Sequence, residues 1–349
     1  MLLLLPLFMV ACGGDEPIDP QPTQNRIVNT NIKQNTTWYS DTVYQLAGRI
    51  AVEDGATLTI QAGTIIKGEA GTGANATALL IARGGKLMAE GTASMPIIFT
   101  SVADEISPAD IAAGNFASPN LDPDVNGLWG GVIVLGYAPI SASNTAGDVS
   151  SVQIEGIPTS DPNGLYGGDN SHDNSGIIQY ISIRHGGANI GSGNEINGLT
   201  LGGVGFSTVI ENVEVVANQD DGVECFGGTV SLTNVVVWSQ GDDAIDLDQG
   251  YTGTIQNFFT VGEFNGDHAL EIDGGEGSWN GNFYLIDGTL LGTDTARCHF
   301  RDEATGFVSI TGNYNIETDN GTNISFDLTP IGGDNTKFTW TWTYLEGKL

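Results

Sequence analysis

The chain has 349 residues, 40% of them hydrophobic, with 50 glycines and a formal net charge of −31 from 42 acidic and 11 basic side chains. That is enough apolar material for one sizeable core, and so negative a surface excludes nucleic acid and anionic lipid headgroups as direct partners. It suits cations, neutral glycans and solubility outside the cell.

Residues 1–11 have the features of a secretory signal: Leu2 to Val10 is an apolar run too short to span a bilayer, and small Ala11 stands where cleavage would fall. Met9-Val10-Ala11-Cys12 resembles a bacterial lipobox, which implies that Cys12 is lipidated and heads the mature chain. Gly13-Gly14-Asp15-Glu16 directly after it resembles the acidic export signal of surface lipoproteins in the Bacteroidota. These resemblances imply an outer-membrane protein that faces outward and meets the membrane through its lipid anchor only. Residues 12–36, Pro-rich from Pro17 to Thr23, are expected to form a flexible tether.

Residues 37–349 are expected to form one domain. From Val43 onward short apolar stretches such as Ile50-Ala51-Val52, Thr57-Leu58-Thr59-Ile60 and Ala78-Leu79-Leu80-Ile81 alternate with Gly-containing turns, which predicts a series of short strands. Two insertions, 102–126 and 142–176, interrupt the series, with one helical turn near Pro108 to Ala113 and core strand at Leu128 to Leu135 between them. Loops of this length on a regular scaffold are usually functional or disordered. Near the end, Phe338, Trp340, Trp342 and Tyr344 alternate as in a terminal strand whose aromatic face covers the open end of the core.

The most informative stretch is Asn197 to Gly275, where one pattern returns four times: Asn197-Gly198-Leu199-Thr200-Leu201, Asp221-Gly222-Val223-Glu224-Cys225, Asp243-Ala244-Ile245-Asp246-Leu247 and His268-Ala269-Leu270-Glu271-Ile272. The copies start 24, 22 and 25 residues apart. Each ends in apolar–polar–apolar alternation, the mark of a half-buried strand, and a period in the low twenties marks a β-solenoid. Equivalent residues then stack about 4.8 Å apart in successive coils. Cys225 falls in register with Leu201, Leu247 and Ile272 and is expected as a buried thiol; a disulfide to Cys298 stays open.

Stacking turns the repeats into acidic columns: Asp220, Asp242 and Asp267 in one, Glu224, Asp246 and Glu271 in another with Thr200 before it, and Asp248 with Asp273 in a third. Asp221 and Asp243 lead to His268 in a fourth. Strand parity places Glu224, Asp246 and Glu271 outside, while Asp221 and Asp243 share parity with the core and must sit at a bend or be buried. Like charges directly opposite across strands destabilise a sheet, so relief is needed from cations, raised pKa values or screening. Ca2+ suits such oxygen-rich ladders. Asp122-Pro123-Asp124-Val125-Asn126-Gly127 also opens like a Ca2+ loop, although Ile133 stands where its twelfth-position Glu belongs.

Several stretches carry a family likeness: Trp129 to Ile140 (WGGVIVLGYAPI), Glu155-Gly156-Ile157-Pro158, Asp173-Asn174-Ser175-Gly176, Asn194 to Gly203 (NEINGLTLGG) and Asp220-Asp221-Gly222. In combination the chain resembles a group of uncharacterised β-helix surface lipoproteins of the Bacteroidota. That resemblance implies an all-β fold, a single right-handed parallel β-helix of the pectate-lyase-like solenoid type. It assigns no catalytic residue. More locally, Asp221-Gly222-Val223-Glu224, Gly241-Asp242-Asp243 and His268-Ala269-Leu270 resemble the acid motifs of the polygalacturonases, which share the β-helix. This likeness implies an inverting glycosidase with Asp243 as general acid and Asp221 and Asp242 holding the water. The chain departs from the pattern at Ala269, where that family has Gly, and lacks its Arg–Lys pair, with Arg297 and Arg301 in the vicinity. Arg184-His185 offers either a lyase base or a paired polar corner. Trp38, Tyr39, Tyr166 and Tyr251 either stack on sugar rings or cover core edges.

Three functions follow for a monomer of this kind. One is a binding protein whose acidic face engages an extracellular polysaccharide with Ca2+; another is a glycoside hydrolase centred on Asp221, Asp242, Asp243 and His268. The third is an adhesin or envelope scaffold without a small ligand.

Overall fold

Parallel strands one coil apart build nearly all of the structure, a computed structural model that describes residues 24–191, 196–262, 266–292, 295–342 and 345. The expected signal segment, Cys12 and the first half of the tether lie outside the described residues. Two large sheets, of fourteen and nine strands, run the length of the solenoid, and every pairing within them is parallel. Their inward side chains meet in one core, where Val213, Val235 and Phe258 of the larger sheet face Val223, Ile245 and Leu270 of the smaller. The fold is a parallel β-helix, as the period predicts.

The register in the nine-stranded sheet is the one the repeats imply. Strands Leu199–Gly202, Val223–Phe226, Ile245–Asp248, Leu270–Ile272 and Ala296–Phe300 align Thr200, Glu224, Asp246, Glu271 and His299 in one column. On the opposite parity, Leu201, Cys225, Leu247, Ile272 and Phe300 point into the core. Cys225 and Cys298 are both buried and both free thiols. Small residues precede these strands because the coils approach closely there: a Cβ on Gly222 would lie 2.2 Å from Val237 Cγ1.

Early and late coils differ in how the larger sheet bends. In the first coils two short strands, such as Thr57–Ile60 and Ile65–Gly68, are separated by a glycine turn. The strand Gly176–Arg184 merges them, pairing with Lys86–Glu90 through one half and Ile97–Ser101 through the other. The bend survives as one left-handed residue per coil, at Tyr180, Asn212, Asn234, Asn257 and Asp287, with φ between 49° and 57°. Asn tolerates this region better than other residues with a Cβ, and the three stacked amides join: Asn234 Nδ2 donates to Asn212 Oδ1 at 3.0 Å and Asn257 Nδ2 to Asn234 Oδ1 at 2.6 Å. Asn234→Ala is therefore expected to lose about 2–3 kcal/mol of stability, from two amide bonds and the strained backbone together. Asn234→Gly should lose less. Urea melts of the two variants check this, and an unchanged Asn234→Ala would refute it.

The solenoid begins inside the expected tether, since Gln24–Val28 already pairs with Thr42–Leu46. That strand escapes a hydrophobicity pattern because, as the outermost edge, it leaves four of its five residues exposed. Both long insertions are ordered covers for the outer faces. In the first, Ile106, Ile111 and Phe116 pack on Val43, Ile65 and Ile98 around the expected helical turn, Pro108–Ala112. In the second, Ala142, Ile154, Ile157 and Tyr166 pack on Leu80, Ile133, Leu135 and Phe226 of the nine-stranded sheet.

Phe338, Trp340 and Trp342 form neither a strand nor an end cap, and Tyr344 lies outside the described residues. Asn335–Phe338 is a short 3-10 helix, and Phe338 and Leu345 lie sideways on Val216, Trp238, Phe259 and Val261 of the larger sheet. Alternation misleads here because these rings cover an apolar patch on an outer face that three successive coils present. Buried beneath them are Arg184 and Glu214, 3.6 Å apart.

Candidate ligand- and cation-binding site

The acidic columns converge on the outer face of the nine-stranded sheet, at the coils that follow the second insertion. Glu224 is only 7% exposed because that insertion and the Phe226–Tyr166 contact roof it over. Asp246, one coil further, is half-buried, and Glu271 borders solvent. The ladder is therefore outside the barrel, as parity requires, but half of it lies beneath a cover that sequence pattern did not reveal.

Asp221 and Asp243 resolve the parity conflict by being buried at the bend. Asp221 Oδ1 accepts the Asp243 N–H at 2.9 Å, and Asp243 Oδ1 accepts the His268 N–H at 2.6 Å, so each side chain ties down the next coil. Asp243 Oδ1 also lies 3.0 Å from His268 Nδ1. Asn197 heads this column and donates through Nδ2 to Glu224 Oε2.

Carboxylates one coil apart in a place water reaches poorly cannot all ionise. Burial, and then the charge of Asp246, pushes Glu224 well above the ordinary range. Burial and the charges of Asp221, Asp248 and Asp243 do the same to Asp246, and burial with Asp220 and Asp243 does so to Asp221. Burial raises Asp243 to about 6. Glu271 rises to about 7 by burial and a shared proton with Asp243, against the pull of Arg301. Asp248 rises to about 7 through burial and the nearby Glu276.

Two groups of donors share Asp246. Oxygens of Asp221, Glu224 and Asp246 lie within 4.8 Å of one another, and so do those of Asp243, Asp246 and Glu271. Asp246 Oδ1 is itself buried and has no hydrogen-bond partner among the described residues. An orphaned carboxylate oxygen amid others is the arrangement an oxygen-seeking cation satisfies. Asp220, Asp221 and Asp242 form a further group within 4.8 Å, and Asp243, Asp267 and His268 another. The four residues of the polygalacturonase-like motif thus divide between two neighbouring groups.

The third column opens on a surface hollow of about 360 Å³, lined by Asp248 and Asp273 with Glu276, Asp302 and Glu303 and floored by Gly274 and Gly275. The last three acids were not legible in advance, since they lie in irregular turns that no repeat places. Arg301 crosses the edge of this hollow, 2.9 Å from Glu271 and 2.7 Å from Asp273.

The family described as pectate-lyase-like beta helix domain matches residues 30–114 and 116–290. The chain belongs to this family. No match was found among curated proteins or among solved structures. As a pectate-lyase-like β-helix protein, it carries its strongest electrostatic feature where successive coils stack their outward residues. The other candidates fare differently. Asp122 and Asp124 join no group of acidic or histidine side chains close enough to share an ion among the described residues. Their loop instead docks through Val125 O on His185 Nδ1. Trp38, Tyr166 and Tyr251 are buried, Trp38 stacked on Tyr44 and Tyr251 donating to Val230 O, so only Tyr39 of the four aromatics is exposed. Arg184 is a paired corner residue: its Nε donates to Ser182 Oγ, which in turn donates to Glu214.

Proposed function

We propose that this protein is a lipid-anchored outer-membrane protein, exposed at the cell surface, whose acidic face binds an extracellular polysaccharide through a divalent cation, Ca2+ by donor chemistry. The observation that carries this is Asp246, which has an unpaired buried carboxylate oxygen and belongs to two sets of close oxygen donors. The ion would be held by Asp246 with either Asp221 and Glu224 or Asp243 and Glu271, each set offering the hard oxygen donors Ca2+ takes. The adjoining hollow, walled by carboxylates and floored by glycine, gives a sugar chain access to the rim. So negative a surface repels a bare polyuronate, which favours a neutral glycan or an acidic one bridged by the ion.

A hydrolase is the second reading, favoured by one observation. Asp243 holds its proton to about pH 6 beside partly exposed Glu271 and exposed Asp242, a general acid next to carboxylates able to activate water. One experiment separates the two. The full-length protein is titrated with Ca2+ and with a panel of neutral and acidic polysaccharides, with and without chelator, while new reducing ends are followed. The binding reading expects chelator-sensitive capture, at least about tenfold weaker in Asp246→Asn since a direct ligand is lost, and no cleavage. Cleavage abolished by Asp243→Asn would instead make this a hydrolase. Absence of both Ca2+ and glycan binding would sink the binding reading and favour an adhesin or scaffold.

A further inference from the structure

At the far end of the acidic column the chemistry changes from oxygen to nitrogen. The residue that continues Thr200, Glu224, Asp246 and Glu271 in the next coil is His299, paired in register with Glu271. His268, at the bend of the preceding strand, brings a second imidazole beside it, with ring centroids 5.8 Å apart and tilted by 45°. One donor atom from each of His268, Glu271 and His299 lies within 4.8 Å of the other two. This set contains two nitrogens and one carboxylate, unlike the all-oxygen groups around Asp246.

Each member is already oriented. His268 Nδ1 lies 3.0 Å from Asp243 Oδ1, and His299 Nε2 lies 3.2 Å from Asp319 Oδ1. For His299 the Asp319 carboxylate is the kind of outer-shell partner that fixes ring tautomer and orientation in histidine metal sites, whereas Asp243 shares His268 Nδ1 with Glu271, 3.7 Å away. Arg301 steadies Glu271 from the other side at 2.9 Å. Among the described residues, the second ring nitrogen of each histidine makes no hydrogen bond. Ligands about 2.0–2.1 Å from a tetrahedral ion stand roughly 3.4 Å apart. His268 Nδ1 and Glu271 Oε1, 3.7 Å apart, already stand near that spacing.

We propose that His268, Glu271 and His299 form a binding site for a divalent transition metal of the Zn2+ class, separate in chemistry from the Ca2+ site on the ladder. Imidazole donors suit Zn2+, Ni2+ and Cu2+, whereas all-oxygen groups suit Ca2+ and Mg2+. Two histidines and one carboxylate are the ligand set of zinc sites that keep a fourth position for water or a substrate oxygen. Glu271 belongs to both donor groups, but neither histidine belongs to a donor group that contains Asp246, so the two sites are separable by mutation.

The test uses the full-length protein stripped of metal by chelator. Zn2+ is titrated calorimetrically with and without a large excess of Ca2+, and Co2+ is followed by its visible absorption. The expected result is one Zn2+ per chain, undisturbed by Ca2+, with Co2+ giving the intense visible bands of a low-coordinate nitrogen-ligated ion. His299→Ala, and His299→Gln should the first variant fold poorly by circular dichroism, should abolish both signals. Asp319→Asn should weaken Zn2+ about tenfold, as loss of an outer-shell partner does. Asp246→Asn should leave Zn2+ affinity intact while weakening Ca2+, so failure of the calcium reading and failure of this one look different. Absence of saturable Zn2+ binding, binding unchanged in the His299 variants, or binding that Ca2+ displaces and Asp246→Asn removes would each overturn the proposal.

Discussion

In chelator, the unfolding midpoint of this protein is expected to fall as pH is raised from about 5 to about 8, the reverse of ordinary acid denaturation. The cause is that several carboxyls keep their protons in the folded state over a range where the unfolded chain has lost them. Asp243 titrates at about 6 and both Asp248 and Glu271 at about 7, with Asp221, Glu224 and Asp246 also pushed upward. The folded state then binds more protons than the unfolded one. For Asp243, Asp248 and Glu271 that stability is fully present below ordinary carboxylate values and declines through the window from about 4 to about 7. Raising Asp243 from the ordinary carboxylate range to about 6 by itself accounts for roughly 3 kcal/mol.

The groups that face these carboxyls decide the sign. Around Asp243 they are Asp242, Asp267, His268 and Glu271; around Asp248 they are Glu155, Asp273 and Glu276. Burial depresses His185 and His268, which act in the opposite sense below about 6.5. Two imidazoles are outnumbered by the raised carboxyls. Ca2+ should restore the midpoint at pH 8 and do little at pH 5, because it binds the ionised ladder and stabilises by mass action. Thermal melts across that range, with and without Ca2+, measure this. A midpoint that rises steadily with pH in chelator would show that the ladder is solvated and uncoupled.

The second large effect is expected at the buried pair on the opposite face. Arg184→Ala should destabilise the protein by about 3–5 kcal/mol, the usual consequence of stranding a buried charge. Arg184 and Glu214 are both essentially unexposed. Burial pushes each toward its neutral form while the opposite charge pulls it back. Glu214 Oε1 also accepts the Trp342 N–H at 2.7 Å, and the guanidinium lies 4.9 Å from the centre of the Trp342 ring. Removing the arginine therefore releases the C-terminal segment as well as the charge. The paired substitution Arg184→Met with Glu214→Leu should recover most of the loss, since it leaves neither charge unpartnered. Urea melts report the stability, and limited proteolysis near Trp342 reports the release. A stable, protease-resistant Arg184→Ala would refute the account.

The acidic face and its histidine end differ in how far sequence alone reaches. The register of Thr200, Glu224, Asp246 and Glu271 follows from a repeat near 23 residues, and the structure keeps it residue for residue. His299 joins that column only once the next coil is placed, because an irregular turn makes that coil 28 residues long, from Glu271 to His299. The asparagine ladder had a visible period, 22 and then 23 residues, but a polar residue inside an apolar run looks like an outward strand position rather than a bend. Sequence by itself determined the repeating core, the parity of each column and the inward placement of Cys225. These depend on local alternation and period, which the pleat converts directly into geometry.

Only the tertiary structure decided what covers what. The second insertion roofs Glu224, the C-terminal rings lie on a flank rather than an end, and the Asp221 and Asp243 carboxylates turn onto neighbouring backbone. Each outcome depends on contacts between segments far apart in the chain, with no period to announce them. The electrostatics follow from those covers: the same carboxylates would titrate ordinarily in open water, and burial is what makes them hold protons or call for an ion.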